Sequence, residues 1–127
     1  MLVAHGGRDP AWAASVEALR AHLAARLGEG RVRVGYLELC RPSLSEALAA
    51  VLAAGVRSVV LLPLLLSGGR HLRRDVPAAV EAAVRTARAA GSDLAVRVLP
   101  PLLESRPVVD AVRMAAEAAM LPLFEDP

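Results

Sequence analysis

Three side chains that can bind a transition metal recur at equal spacing along this chain. Glu38 follows His5 by 33 residues, and His71 follows Glu38 by another 33 residues. This interval is close to the length of one βαβ unit, roughly 30 residues. Equivalent points on successive units of a parallel sheet lie at the same edge, and ligands bind at the carboxyl ends of the strands. The spacing therefore predicts an α/β fold in which the three side chains converge on one cleft.

Four apolar segments alternate along the chain with four segments that have helical spacing. We predict strands at residues 1–4, 31–39, 58–64 and 94–99, and helices at residues 10–27, 43–54, 76–90 and 105–120. Asp9 and the Ser43–Glu46 pair fit helix N-termini, and the continuous apolar run of the third strand is typical of a strand covered on both faces. Because short connections between parallel strands form right-handed crossovers, we expect a four-stranded parallel sheet flanked by helices in three layers.

Composition limits the partners and the compartment. With 127 residues and 55% hydrophobic content, residues 1–127 are expected to form one domain with a two-sided core. No apolar run approaches the roughly 20 residues that span a bilayer, and no basic segment precedes the first strand, so we expect a cytoplasmic protein without a membrane partner. All 15 basic residues are arginine, but they are scattered and the net charge is only +2, which argues against a nucleic-acid partner. The single cysteine, Cys40, is expected to be a small core residue of a buried strand.

Two imidazoles and a carboxylate suit zinc, cobalt, iron or nickel, and three protein ligands leave coordination positions for a substrate. Each of the three has an ordinary alternative. His5 could be a simple loop histidine, Glu38 could form an ion pair with Arg41, and His71 could belong to a solvated basic turn. The equal spacing of the three residues favours a catalytic metal site over these alternatives.

The glycine pair Gly68–Gly69 precedes His71 in a loop. Loop N–H groups before a helix attract anions, but the spacing matches neither the dinucleotide fingerprint nor the P-loop. We therefore expect a backbone that leaves room for a bulky ligand. A phosphoryl-transfer role for His5 is a further alternative, although no arginine directly precedes that histidine.

Three stretches of the sequence resemble the small sirohydrochlorin chelatases, the short members of the class II chelatases. They are Val3–Pro10, Tyr36–Leu44 and Leu62–Pro77, and the resemblance covers nearly the whole chain. It implies a lyase that inserts a divalent metal into the tetrapyrrole sirohydrochlorin, in cobalamin or sirohaem biosynthesis. Co²⁺ is the expected metal, with Fe²⁺ or Ni²⁺ as alternatives, and no permanently bound cofactor is expected. The family's short members also imply a homodimer.

The resemblance assigns roles to individual residues. The family's metal-binding histidines match His5 and His71, and its acidic position matches Glu38, so these three are expected to bind the metal and act in catalysis, with His5 favoured as proton acceptor. Sirohydrochlorin is rich in carboxylates, which suit the forked contacts of arginine. The expected substrate-binding residues are Arg8, Arg41, Leu66, Ser67, Gly68, Gly69 and Arg70.

Two departures from the family pattern concern the surroundings of the metal. Serine is frequent in relatives where this chain has Gly7, and aromatic residues are frequent where it has Leu64–Leu66. We expect aliphatic packing against the substrate and an altered choice of metal. A non-catalytic metal carrier or sensor that uses the same three ligands remains the main alternative to a chelatase.

Overall fold

The computed structural model describes residues 1–120, in which four strands alternate with four helices. The strands are β1 (Leu2–Ala4), β2 (Val34–Tyr36), β3 (Ser58–Pro63) and β4 (Ala95–Val98), and the helices are α1 (Pro10–Leu27), α2 (Leu44–Ala53), α3 (Val76–Ala89) and α4 (Arg106–Met120). Single helical turns lie at Glu29–Arg31, His71–Asp75 and Leu102–Glu104. All strand pairs are parallel, in the order β2-β1-β3-β4, which confirms the predicted sheet.

Side-chain caps fix where the first two helices begin. The Asp9 carboxylate accepts a hydrogen bond from the Ala11 N–H at 2.9 Å. At α2, the Glu46 N–H donates to the Ser43 hydroxyl at 3.2 Å, while the Ser43 N–H donates to the Glu46 carboxylate at 2.7 Å. These bonds satisfy N–H groups that a helix leaves without partners. Both caps agree with the sequence prediction, and each starts a helix directly after a loop at the carboxyl edge of the sheet.

The two faces of the sheet pack against different helices. Leu48 of α2 and Val76 of α3 are fully buried against Val3 and Leu61 on one face. On the other face, Val16 and other residues of α1 pack over β1 and β2. The helices α2 and α3 thus cover one face, and α1 covers half of the other. No helix in residues 1–120 is both long enough and apolar enough to cross a membrane.

The second strand is shorter than predicted, and this changes the setting of two residues. It ends at Tyr36, whose N–H donates to the Pro42 carbonyl at 2.9 Å, so the chain between them forms a loop that returns to β2. Glu38 and Cys40 therefore lie in a loop. The prediction that Cys40 lies in a strand was wrong, but its half-buried side chain packs against the core on the α1 face, and its thiol donates to the Gly7 carbonyl at 3.2 Å.

Within residues 1–120, the third strand is not covered on both faces, contrary to the prediction from its apolar run. Val59, Leu61 and Pro63 are buried, but Val60 on the opposite face is 45% exposed. The uncovered face belongs to the half of the sheet that α1 does not reach. Within the described residues, α4 has no buried residue and does not cover it.

Candidate metal site

The structure brings His5, Glu38 and His71 together at the carboxyl edge of the sheet. His5 follows β1, Glu38 follows β2, and His71 lies beyond the loop after β3. One ligand atom from each residue lies within 4.8 Å of those of the other two. The two imidazole rings meet edge to face, with centroids 4.7 Å apart and planes at 85°. Because β1 lies between β2 and β3, loops from three adjacent strands supply the three side chains.

His5 and Glu38 form one half of this group. The His5 Nδ1 lies 3.1 Å from the Glu38 Oε1, and the two side chains are 45% and 43% exposed. The backbone also joins their loops, because the Glu38 N–H donates to the His5 carbonyl at 2.9 Å and the Leu37 N–H donates to the Ala4 carbonyl at 3.0 Å. The parallel pairing of β1 and β2 thus extends beyond the strands and places the carboxylate beside the imidazole.

Gly6 makes this close approach of the two loops possible. Its φ is +104°, and a Cβ at this position would lie 1.7 Å from the Glu38 carbonyl oxygen. A side chain would therefore overlap with backbone as well as strain the φ angle. Sequence reasoning assigned no role to Gly6, although a glycine directly after a strand-end histidine is a signal for such an approach.

The loop that carries Glu38 is tightly turned. Leu39, which follows it, has a φ of +59°, in the left-handed region that a leucine rarely adopts. The Cys40 N–H donates to the Glu38 carbonyl at 2.7 Å, and the Cys40 thiol contacts the Gly7 backbone. Backbone strain of this kind persists where surrounding contacts enforce it. These contacts hold the Glu38 loop against the loop of residues 5–7.

His71 and Asp75 form the other half. His71 was predicted in a loop, but the structure places it at the start of a helical turn that continues into α3. Its Nδ1 lies 2.6 Å from the Asp75 Oδ2, four residues later. A carboxylate that accepts from Nδ1–H leaves the Nε2 lone pair of a neutral imidazole free to bind a metal. Sequence reasoning missed Asp75 because the i, i+4 relationship appears only when the helical segment begins at His71.

Tyr36 and Trp12 pack below the His5–Glu38 half. Their ring centroids are 6.2 Å apart, and Tyr36 is 7% exposed. Burial raises the pKa of the Tyr36 phenol above its usual value of 10.0, which keeps it neutral at ordinary pH. The Trp12 ring therefore packs against β2 through the neutral Tyr36 side chain.

The predicted arginines differ in their surroundings. Arg41 donates to the Glu46 carboxylate at 2.6 Å, so the possible pair between Arg41 and Glu38 is not formed. Arg8 and Arg70 are exposed and form no ion pair with any residue in the range 1–120. These two remain free to contact an anionic ligand.

The loop before His71 has little side-chain bulk. A Cβ on Gly69 would meet nothing within 4 Å, and its N–H donates to the Ser67 carbonyl at 2.9 Å. Gly68 lies beside Glu104, where a Cβ would make an ordinary contact of 3.6 Å. Leu66 is 66% exposed. An apolar surface and an unobstructed backbone therefore flank His71, as a large ligand would require.

The fold and this side-chain group define a class of protein: a small parallel α/β protein with a partly exposed two-histidine, one-carboxylate group at its strand ends. Within residues 1–120 the group has three protein ligands and is open to solvent, which distinguishes it from a closed, four-ligand structural metal site. The profile of the family described as CbiX matches residues 1–119. The chain therefore belongs to the CbiX family.

A named relative and a solved structure are both similar to this chain. The chain is 40% identical over 77 residues to the sirohydrochlorin cobaltochelatase of Saccharolobus islandicus, a match that covers 61% of this chain and 59% of that protein. The structure of a putative cobalamin biosynthesis CbiX protein from Marinobacter aquaeolei is 27% identical, with a TM-score of 0.76, over 98% of this chain and 95% of that one. The matched segment thus spans less than two thirds of the Saccharolobus protein.

A longer chain shares the fold. The sirohydrochlorin chelatase SirB from Bacillus subtilis subspecies spizizenii, solved in complex with cobalt, matches with a TM-score of 0.70 and 23% identity. The match covers 92% of this chain but only 48% of that one. The fold described here therefore corresponds to about half of that protein.

Proposed function

We propose that this protein is a sirohydrochlorin chelatase, which inserts a divalent metal into the tetrapyrrole and releases two protons. The partly exposed His5–Glu38–His71 group, with ligand atoms within 4.8 Å of one another, is the observation that carries this proposal. Co²⁺ is the first metal to test, because the Saccharolobus relative is named a cobaltochelatase. Fe²⁺ and Ni²⁺ share its ligand preferences and are the alternatives. The metal is a substrate and not a resident cofactor.

Metal insertion requires three things of the protein: the cation must be held loosely, its water must leave, and the pyrrole N–H protons must be accepted. Neutral imidazoles bind the cation and accept protons. In this proposal His5, Glu38 and the His71 Nε2 hold the metal together, and Asp75 orients the His71 ring. As the metal passes to the tetrapyrrole, His5 accepts the two pyrrole protons in turn and releases each to solvent, to which its side chain is 45% exposed, while Glu38 stabilises the imidazolium through its contact with Nδ1.

The substrate would lie over the carboxyl edge. Arg8 and Arg70 would bind its carboxylates through their forked guanidinium groups, and Leu66 with the Ser67–Gly69 backbone would contact the macrocycle. Arg41 is a weaker candidate because Glu46 already pairs with it. Residues 1–127 would act as one domain, in a homodimer in which each copy carries a complete three-ligand group.

The first test is an anaerobic absorbance assay of sirohydrochlorin with Co²⁺, Fe²⁺ or Ni²⁺ separately. His5→Ala and His71→Ala are compared with the wild type, and His22→Ala, which alters an exposed histidine on α1, is the matched control. We expect spectral conversion above the uncatalysed rate for the wild type and His22→Ala, and its loss in the other two variants. Tight metal binding without acceleration by any metal would instead indicate a carrier or sensor.

A further inference from the structure

Leu39, in the loop that carries Glu38, combines two features that do not stabilise the fold. Its φ of +59° lies in the left-handed region, which glycine and asparagine adopt far more readily than leucine. Its side chain is 62% exposed, and it packs in neither hydrophobic cluster of residues 1–120. A glycine or an asparagine would remove the strain, and a polar side chain would be better hydrated. The leucine therefore requires a reason outside the packing of the described chain.

Backbone contacts on both sides hold Leu39 in this conformation. Before it, the Glu38 N–H donates to the His5 carbonyl at 2.9 Å. After it, the Cys40 N–H donates to the Glu38 carbonyl at 2.7 Å, and the Cys40 thiol donates to the Gly7 carbonyl at 3.2 Å. Strained residues that their surroundings enforce in this way cluster at functional sites. The Leu39 backbone is thus held in place before a ligand binds, which lowers the entropic cost of binding.

Two further exposed leucines lie at the same edge of the sheet. Leu66 follows β3 and is 66% exposed, and Leu103 follows β4 and is 52% exposed. The Leu103 N–H donates to the Leu66 carbonyl at 3.0 Å, so these two adjoin. The sheet order β2-β1-β3-β4 places Leu39, which follows β2, on one side of His5, which follows β1, and the other two leucines on the opposite side.

A ligand that covers both sides must be wide and must have an apolar face. Neighbouring strands are about 4.8 Å apart, so the ends of β2 and β4 are separated by roughly 14 Å. A metal ion or a small anion would reach only one side. A tetrapyrrole is broad and flat, with apolar faces and a charged rim, and its nitrogens must come close to a metal held by His5, Glu38 and His71. Exposed leucines on both sides of that group suit the macrocycle face.

We propose that Leu39 is a tetrapyrrole-binding residue, which packs on the face of the macrocycle beside the metal group. This inference rests on the proposed chelatase function, and it adds a residue to which neither the sequence nor the metal geometry gave a role. When the ligand covers Leu39, apolar surface leaves water. The contact is made equally before and during metal insertion, so its loss should change the KM for the tetrapyrrole and leave kcat nearly unchanged.

Leu39→Asn removes the apolar contact while suiting the left-handed backbone. We expect metal-free sirohydrochlorin, followed by anaerobic fluorescence titration, to bind about 5- to 20-fold more weakly. The KM should rise to match, with kcat and the Co²⁺ affinity within about twofold of wild type. The melting temperature should stay at or above that of the wild type, whereas a structural role predicts a lower melting temperature and weaker Co²⁺ binding. Leu39→Met should restore tetrapyrrole binding. Leu27→Asn, which alters a 58% exposed leucine at the far end of α1, is the matched control and should bind as the wild type does.

Protection by the substrate tests the contact directly. Leu39→Cys and Leu27→Cys are each combined with Cys40→Ser, and their alkylation by a maleimide is timed with and without saturating metal-free sirohydrochlorin. We expect sirohydrochlorin to slow the labelling of the Leu39→Cys variant several-fold and to leave that of the Leu27→Cys variant unchanged.

The outcomes separate this inference from the function on which it rests. If the wild type inserts metal but sirohydrochlorin neither protects the Leu39→Cys variant nor binds the Leu39→Asn variant more weakly, the role of Leu39 is overturned and the chelatase assignment stands. A folded wild type that binds no sirohydrochlorin would overturn both.

Discussion

The two halves of the candidate metal site are supported in different ways. His5 and Glu38 lie on loops from different strands, and their proximity depends on backbone contacts between those loops, including the approach at Gly6. His71 and Asp75 lie four residues apart in one helical segment. The first half depends on the folded sheet, whereas the second depends mainly on one helical turn.

This difference determines how each half responds to mutation. A contact between two backbones cannot relax by a change of rotamer, so an added atom must displace a loop. A side-chain hydrogen bond within a helix can be removed while the helix remains. We therefore expect substitutions in the loop half to displace the His5 and Glu38 side chains. Substitutions in the helical half should change the orientation of the His71 ring and leave the stability of the fold nearly unchanged.

Replacement of Gly6 by alanine should have the largest effect. The new Cβ would lie 1.7 Å from the Glu38 carbonyl oxygen, and a positive φ costs an L-residue roughly 1–2 kcal/mol in addition. We expect Co²⁺ affinity to fall about 100-fold or more, which corresponds to about 3 kcal/mol. Isothermal titration of the folded variant with Co²⁺ measures this change.

Gly7→Ala is the matched control for that substitution. Gly7 does not have a positive φ, and its Cβ would make ordinary contacts of 3.6–3.7 Å with the Trp12 ring. The Gly7→Ala variant should bind Co²⁺ with an affinity within about twofold of that of the wild type. Equal losses in both glycine variants would mean that general loop flexibility, and not the approach to Glu38, supports the site.

Removal of the carboxylate at Asp75 should have the next largest effect. Groups that hydrogen-bond a metal-binding histidine typically contribute 10- to 100-fold in metal affinity, so Asp75→Ala should weaken Co²⁺ binding by about 10-fold or more. Asp75→Asn keeps an acceptor oxygen and should lose less. Asp93→Ala, which removes an exposed carboxylate before β4, is the charge control. A large fall in melting temperature for Asp75→Ala, with metal affinity intact, would contradict a positioning role.

Sequence reasoning predicted the alternation of strands and helices, the parallel sheet and the three metal-binding candidates because βα units repeat and parallel strands end at one edge; it did not predict the order of the strands in the sheet. It assigned no role to Gly6, because the position of that glycine after a strand-end histidine signals a close approach but does not identify the partner, which is the backbone of Glu38. It missed Asp75 because the apolar pattern indicates α3 only from Val76 onward. The apolar run around Val60 indicated a strand covered on both faces, but such a run does not show whether a helix reaches the second face, and Val60 is 45% exposed.

Arg70 and Arg41 extend the comparison from the metal to the tetrapyrrole. Arg70 adjoins the helical half and forms no ion pair within residues 1–120, whereas Arg41 adjoins the loop half and pairs with Glu46. We expect Arg70→Ala to raise the KM for sirohydrochlorin roughly 3- to 10-fold with kcat within about twofold, and Arg41→Ala to raise the KM less. Steady-state kinetics at saturating metal measure both constants. A fall in kcat alone for Arg70→Ala would place Arg70 in the chemical step.

The smallest expected effect concerns the start of α2, which supports only the loop half. Hydrogen bonding with the Ser43 backbone N–H, and then with its side chain, holds the pKa of the Glu46 carboxyl below its usual value of 4.5. A depressed folded-state pKa means that this interaction stabilises the protein above pH 4.5 and is lost as the pH falls through the lower, folded value. Other carboxylates also titrate in acid, so only the difference between matched proteins is informative.

The Glu46→Gln variant is the matched protein for this comparison. The glutamine side-chain oxygen can still accept from the Ser43 N–H, but the amide group does not titrate. The wild type should melt above the variant by about 2 °C at neutral pH, and the gap should close as the pH falls below 4.5. Co²⁺ affinity at neutral pH should change less than about twofold in the variant, because Glu38 is held against His5 and Gly6 by bonds that do not include α2. A gap that persisted in acid would show that the Glu46 charge does not act through the cap, and a large loss of metal affinity would show that the loop half depends on α2 as well as on β1.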